Sequence, residues 1–133
     1  MIKNQKYDVV IIGGGPAGLT AGLYTSRAGL NSLLIEQGVA GGQIAIADQV
    51  DNFPGFPDGI TGVALGELLH QQATKYALKT INAEATAIES RKDQKVVKTT
   101  EGDITGRAVI IASGSNRVKL GIPGEQEFVG KGV

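Results

Sequence analysis

Tyr7 to Ile12 is a short, β-branched run in which Val9-Val10-Ile11-Ile12 is continuously apolar. Such runs form strands covered on both faces, the habit of parallel sheets. Gly13-Gly14-Gly15 interrupts it. From Pro16 to Ala28 the apolar positions take a helical spacing, with Ala17, Leu19, Ala21, Leu23 and Tyr24 among small residues. Pro16 suits a first helical turn, where its missing N–H costs nothing, and Gly29 is a natural stop. Ser32-Leu33-Leu34-Ile35-Glu36 predicts a second strand. Strand, helix and strand within about 30 residues make a βαβ unit, whose strands run parallel with a right-handed crossover.

Residues 37–61 hold Gly38, Gly41, Gly42, Pro54, Gly55, Pro57 and Gly59 and predict a long loop. Long loops in compact domains tend to be functional. Gly62 to Ala77 predicts a second amphipathic helix, with Leu65, Leu68, Leu69, Ala73 and Tyr76 at helical spacing. Thr80 to Ala85 reads as a third parallel strand. Three shorter, more polar strands follow at Thr86 to Ser90, Val96 to Thr100 and Ile104 to Arg107, separated by Lys92-Asp93-Gln94 and Glu101-Gly102-Asp103. They predict a small antiparallel β-meander. Ala108-Val109-Ile110-Ile111 returns to the buried parallel type. Ser113 to Val133 shows no periodic element. The expected organisation is a domain over residues 1–112 and, over 113–133, a segment crossing toward another domain, with a disordered tail as the alternative.

The fold class expected is therefore α/β, a doubly wound parallel sheet with a small antiparallel meander. The 133 residues fit one domain. The 13 basic and 13 acidic side chains cancel, so neither nucleic acid nor an anionic membrane is recommended as a partner. Cysteine is absent, which excludes a disulfide framework, a thiolate metal site and a redox dithiol within these residues. The apolar run before the glycines is too short for a signal-peptide core or a membrane span. A soluble, cytoplasmic protein is the expectation. The 20 glycines are about double the usual share of roughly 7% and fall in clusters, which suggests places where backbone must approach something closely.

Gly13-x-Gly15-x-x-Gly18 follows a predicted strand and opens a predicted helix. That context turns a weak pattern into a dinucleotide-binding fingerprint. Gly13 allows the tight turn, Gly15 lets a diphosphate reach the backbone, and Gly18 lets helix and sheet pack closely. Pro16 and Ala17 complete the first helical turn, where N–H groups and the helix dipole hold an anion. Glu36, with Gln37 beside it, ends the second strand 18 residues after Gly18. A carboxylate there accepts hydrogen bonds from adenosine ribose hydroxyls and repels a 2′-phosphate. The fingerprint alone leaves FAD and NAD open, since both carry ADP.

Four segments together, Gly13-Gly14-Gly15-Pro16-Ala17-Gly18-Leu19, Gly41-Gly42-Gln43, Asn52-Phe53-Pro54-Gly55-Phe56 and Leu120-Gly121-Ile122-Pro123-Gly124-Glu125, resemble low-molecular-weight thioredoxin reductases. The resemblance runs from about Tyr7 to Val133. It implies a Rossmann-like domain whose N-terminal fingerprint binds FAD, with NADPH held on a separate domain outside this chain. It further implies Gly42 and Gln43 near the flavin or its ribityl chain, Asn52 as a hydrogen-bond partner of the cofactor, and backbone of Ala85 at the adenine. Ala112-Ser113-Gly114 matches the family's Ala-Thr-Gly segment with Ser for Thr, so a hydroxyl survives. The family's Cys-x-x-Cys motif, NADPH domain and C-terminal flavin-site segment have no counterpart in these residues. Gly130-Lys131-Gly132-Val133 resembles the lead into the NADPH domain. The edge of Ala108 to Ile111 should accordingly be open. Electrons would pass from NADPH through flavin to a dithiol and on to thioredoxin, in a homodimer, and the 133 residues alone should not turn over thioredoxin.

Two kinds of alternative stay open. One is another flavoprotein of similar build, the partner of a peroxide reductase or a ferredoxin–NADP reductase. The other is a stand-alone nucleotide-binding module with no redox role. No further chemical constellation stands out. His70 lies off the apolar stripe and reads as a solvated helix residue, since a catalytic base needs a positioned partner. Ser113 and Ser115 have no histidine–acid pair, the acids show no metal-ligand spacing, and Tyr24, Tyr76, Phe53 and Phe56 read as packing residues.

Overall fold

A computed structural model describes residues 5–116 and 118–131. Six strands form one sheet in the order β3-β2-β1-β6-β5-β4. The apolar run becomes β1 (Lys6–Ile12) and the second strand β2 (Ser32–Glu36), and they pair in parallel with Ile12 beside Ile35. Helix α1 (Pro16–Arg27) connects them. Helix α2 (Gly62–Thr74) leads to β3 (Lys79–Asn82), which lies parallel to β2 with Asn82 beside Glu36. The meander is β4 (Ala85–Arg91), β5 (Gln94–Thr99) and the start of β6 (Ile104–Ile111).

Several boundaries differ from the sequence expectation, each for a tertiary reason. Ile104 to Arg107 and Ala108 to Ile111 are one strand, not two. Its first residues, Ile104 to Gly106, pair antiparallel with β5, while Thr105 to Ile111 pair parallel with β1. A single strand thus serves two ladders, which no local pattern can reveal. The third parallel strand stops at Asn82, and Ala85 already belongs to β4. The second helix stops at Thr74, and Ala77 beyond it takes φ +64°. The loop over 37–61 contains a 3-10 turn, Gly42–Ile46, and a bridge between Val50 and Ile60. Beyond Ser113 only a short helix, α3 (Glu125–Phe128), forms among the described residues. There the Glu125 carboxylate accepts the N–H groups of Leu120 and Gly121, both at 2.8 Å. Gly132 and Val133, part of the expected crossover segment, lie outside the described residues.

The core has two parts. Leu19 of α1 and Ala73 of α2 pack with Val9, Ile11, Leu34 and Leu78 on one face of the sheet. On the other face Tyr7, Val10, Leu33 and Ile35 pack with Ala83 and with the meander residues Val97 and Ile104. Strands β1 and β2 are therefore buried on both sides, as their unbroken apolar runs require. Leu68 and Tyr76, expected on the inner stripe of α2, are exposed. Ala73 and the half-buried Leu69 carry that contact, Leu65 is also buried, and Tyr76 lies past the helix end. From Arg107 to Ile111, β6 pairs with β1 and has no register with β5. Its outer edge is thus open among the described residues, and Ile111 is exposed.

Candidate functional site

The carboxyl ends of β1, β2 and β6 meet the start of α1. In open α/β sheets this is where ligands bind. Gly13 takes φ +102°, a conformation that favours glycine, and a Cβ there would overlap the carbonyl oxygen of Ala112. Gly18 is buried, and a Cβ on it would overlap the carbonyl oxygen of Gly13. Both glycines are thus demanded by the protein's own packing. Gly15 is different. Its φ of −73° suits any residue, and a Cβ there would meet no atom within 4 Å. The protein leaves open space beside that position.

The helix that begins there is left uncapped. The N-cap of α1, Gly15, offers no side-chain hydrogen bond, and no acidic residue lies in the first turn. Pro16 has no N–H to satisfy, Leu19 bonds back to Gly15, and Ala17 is exposed. The N-terminus of α2 is finished in the usual way, with Thr61 Oγ1 accepting the N–H of Ala64 at 3.3 Å. Free donors, the positive end of a 12-residue helix and open space above it make an anion site at α1.

Glu36 stands next to this turn. Its carboxylate accepts the N–H of Gly14 through one oxygen and the N–H of Gly38 through the other, the latter at 2.8 Å. Gly14 also accepts the N–H of Gly41 at 2.8 Å. The fingerprint turn, the acid and the following loop are therefore one hydrogen-bonded unit with Gly14 at its centre. Sequence reasoning passed over Gly14 and Gly38. The motif leaves its second position free, and the signal was only that a third glycine stands there.

A cleft of about 310 Å³ opens beside this unit. Gly13, Glu36 and Gln37 form one side of it, Ala83, Glu84 and Ala85 a second, and Ser113, Gly114, Ser115 and Asn116 a third. Its size suits a nucleoside-sized group. Ala112, whose N–H extends the β1–β6 ladder to Ile12 at 2.8 Å, packs under the turn and does not line the cleft. Gly42, at φ +55°, comes up to Gly15 from the loop, and Gln43 Nε2 donates to the carbonyl of Ser115. Of the expected site residues, Gly13, Glu36, Gln37, Ala85, Ser113 and Gly114 line this cleft, while Gly15, Pro16, Ala17 and Gly18 form the start of α1 beside it. Asn52 is exposed in the loop beyond the 3-10 turn and does not line the cleft. Glu84, Ser115 and Asn116 line it without having been singled out, since nothing local marks them.

His70, read from the sequence as solvated, is half-buried. It lines a neighbouring cleft of about 240 Å³ with Glu36, Thr80 and Asn82. The end of α2 lies over the edge of the sheet there, which a helical wheel alone does not show. No group of His, Asp and Glu among the described residues could hold a metal ion. No described helix is long and apolar enough to cross a membrane.

Comparison with known proteins gives a consistent picture. The family model for pyridine nucleotide-disulphide oxidoreductases matches residues 7–133. The thioredoxin reductase of Bacillus subtilis is 44% identical over 133 residues, 100% of this chain and 42% of that protein. That of Listeria monocytogenes is 43% identical over the same shares of each. The crystal structure of Lactococcus lactis thioredoxin reductase, in its FR conformation, superposes with a TM-score of 0.87 at 39% identity. It covers 93% of this chain and 41% of that one. This chain therefore spans about two fifths of the length of the relatives it matches.

Proposed function

This chain belongs to the pyridine nucleotide-disulphide oxidoreductase family, and from that premise we propose that it is the FAD-holding part of a thioredoxin reductase. The observation that carries the reading is the contrast between α1 and α2. One helix start is capped by its own threonine, whereas the other is uncapped and open above Gly15. An anion supplies the missing cap, and the diphosphate of FAD is such an anion.

The roles of the residues follow. The N–H groups of the first turn of α1, behind Pro16 and with Ala17 and Gly18, bind the diphosphate. Glu36, held by Gly14 and Gly38, accepts ribose hydroxyls and disfavours a phosphate at the 2′ position. The cleft beside it takes the base, with Gln37 and the backbone of Ala85 on its walls and Ser113 and Gly114 opposite. Gly42 gives close backbone approach on the flavin side of Gly15, and Gln43 is tied across to Ser115. Ala112 supports the turn from below. Asn52 reaches the cofactor from the loop by resemblance alone.

FAD, when bound, supplies two-electron redox chemistry between a nicotinamide and a dithiol, and the protein contributes orientation and electrostatics. No cysteine occurs in these residues, and the proposal places the dithiol and the NADPH site in other parts of the reductase. Thioredoxin is the proposed acceptor, homodimer the proposed assembly and the cytoplasm the proposed location. The names of the relatives favour this acceptor over a peroxide-reductase partner or ferredoxin. Purified chain incubated with FAD and desalted should retain flavin absorbance near one equivalent, and ADP should displace it. Absence of both flavin and ADP binding sinks the reading.

A further inference from the structure

Three consecutive residues, Ala83, Glu84 and Ala85, form one wall of the cleft. Ala83 is buried and Ala85 half-buried, and both pack into the core with Tyr7, Val10 and Ile35. Glu84 lies between them and is exposed. Alternation along an extended segment puts it on the opposite side from its neighbours. It is therefore the one residue of this wall with a functional side chain to offer.

Its backbone is held firmly. The Glu84 N–H donates to Thr100 Oγ1 and the Glu84 carbonyl accepts the Thr100 N–H, each at 3.1 Å. The Ala83 N–H donates to the carbonyl of Glu36 at 3.0 Å, which ties this wall to the ribose-binding strand end. A register shift between Ala85 and Ala87 follows at once, and bulges of this kind re-aim side chains next to functional sites. Asn82 is the register partner of Glu36, so Glu84 lies two residues further on, roughly 6–7 Å at strand spacing. On the nucleotide reading this places it beyond the sugar, on the side of the base.

The chemistry of the wall is selective. A carboxylate only accepts hydrogen bonds. Among the described residues no Lys, Arg or His lines this cleft, so none of these neutralises Glu84. It meets favourably a base that presents an exocyclic amine and unfavourably one that presents a carbonyl oxygen at the same place. We propose that Glu84 is a specificity-determining residue that selects a 6-aminopurine over a 6-oxopurine in the nucleotide. This rests on the nucleotide reading above and adds to it a discrimination that the backbone of Ala85 alone would make less sharply.

The test is a ratio. Equilibrium titration of the full chain with ADP and with IDP should show ADP preferred by about ten- to a hundredfold, the range for one charged hydrogen bond. Glu84→Ala should lower the ratio about tenfold, leaving only the weaker preference of the Ala85 backbone. Glu84→Gln, whose amide can turn a donor toward the oxo group, should do the same or reverse it. Glu84→Asp, which keeps the carboxylate, should keep the preference for ADP. A wild-type ratio near one, or a preference unchanged in Glu84→Ala and Glu84→Gln, overturns the assignment while leaving FAD binding intact. If the wild type binds neither nucleotide nor FAD, the functional reading itself fails and this inference falls with it. Melting temperatures of the variants separate misfolding from a change of preference, because a merely structural loss weakens ADP and IDP alike.

Discussion

Gly42 comes so close to Gly15 that a Cβ on Gly42 would stand 3.1 Å from the Gly15 Cα, whereas a Cβ on Gly15 itself would meet nothing within 4 Å. The two glycines therefore answer different demands. Gly42 lets one loop close against another, and Gly15 keeps a space empty. Glycines that meet at one place can be sorted in this way into those the fold needs and those it does not.

Gly15→Val and Gly18→Ala should separate those demands. Gly15→Val leaves the fold intact, with a melting temperature close to wild type, and weakens FAD and ADP at least about tenfold by filling the diphosphate space. Gly18→Ala forces a side chain into the Gly13 carbonyl and costs about 1–3 kcal/mol of stability by overpacking. Thermal melts and FAD titration of both variants check the pair. Equal destabilisation would contradict it.

Glu36→Gln tests the acid. Glutamine keeps one acceptor oxygen but turns an NH₂ toward either Gly14 or Gly38, whose N–H groups now face the carboxylate. The expected loss is about 1–3 kcal/mol of ADP affinity, with a narrower gap between ADP and its 2′-phosphorylated analogue. Titration with both ligands reads this directly. An unchanged gap would remove Glu36 from the ribose site.

Ala77→Gly should stabilise the protein. Ala77 takes φ +64° just past α2, a left-handed conformation that costs a residue with a Cβ roughly 1–2 kcal/mol. Glycine relieves this but gives back part of the gain through the unfolded chain, leaving up to about 1 kcal/mol. A rise of about 2–5 °C in melting temperature is expected. A fall would mean that the Ala77 methyl makes a contact worth more than the strain.

Tyr7 should impose an alkaline limit on stability. Its side chain is buried, its hydroxyl donates to Gln5 Oε1 at 2.7 Å, and burial pushes its pKa above the ordinary tyrosine value. The folded protein then holds the phenolic proton more tightly than the unfolded chain does. The stabilisation is complete below the unfolded-state pKa of about 10 and is lost as pH rises from there through the folded-state value. Tyr7→Phe removes that limb. Denaturant unfolding from pH 8 to 11 should show a shallower decline for the variant, and identical slopes would refute the assignment.

The chain's own pattern carried the parallel half of the fold. Val9 to Ile12 and Leu33 to Ile35 are unbroken apolar runs because both faces of β1 and β2 are covered. The Gly13–Gly18 spacing and Glu36 marked the turn and the acid, because turn geometry and strand ends are local properties that a few residues dictate. The expected position of the open edge at Ala108 to Ile111 also rested on the sequence, through its resemblance to a family.

What the sequence left undetermined depended on partners distant along the chain. That Ile104 to Ile111 is one strand follows from two neighbours, β5 and β1, met at different points of its length. Gly14 became the hub of the site only when Glu36 and Gly41, 22 and 27 positions further on, closed upon its two backbone groups. Glu84 acquired a role because Thr100 and Glu36 hold its segment at the cleft wall. Local patterning reports which faces are covered and where the chain turns. Hydrogen bonds between remote segments decide which polar residues share a cavity, and these exist only after the sheet has assembled.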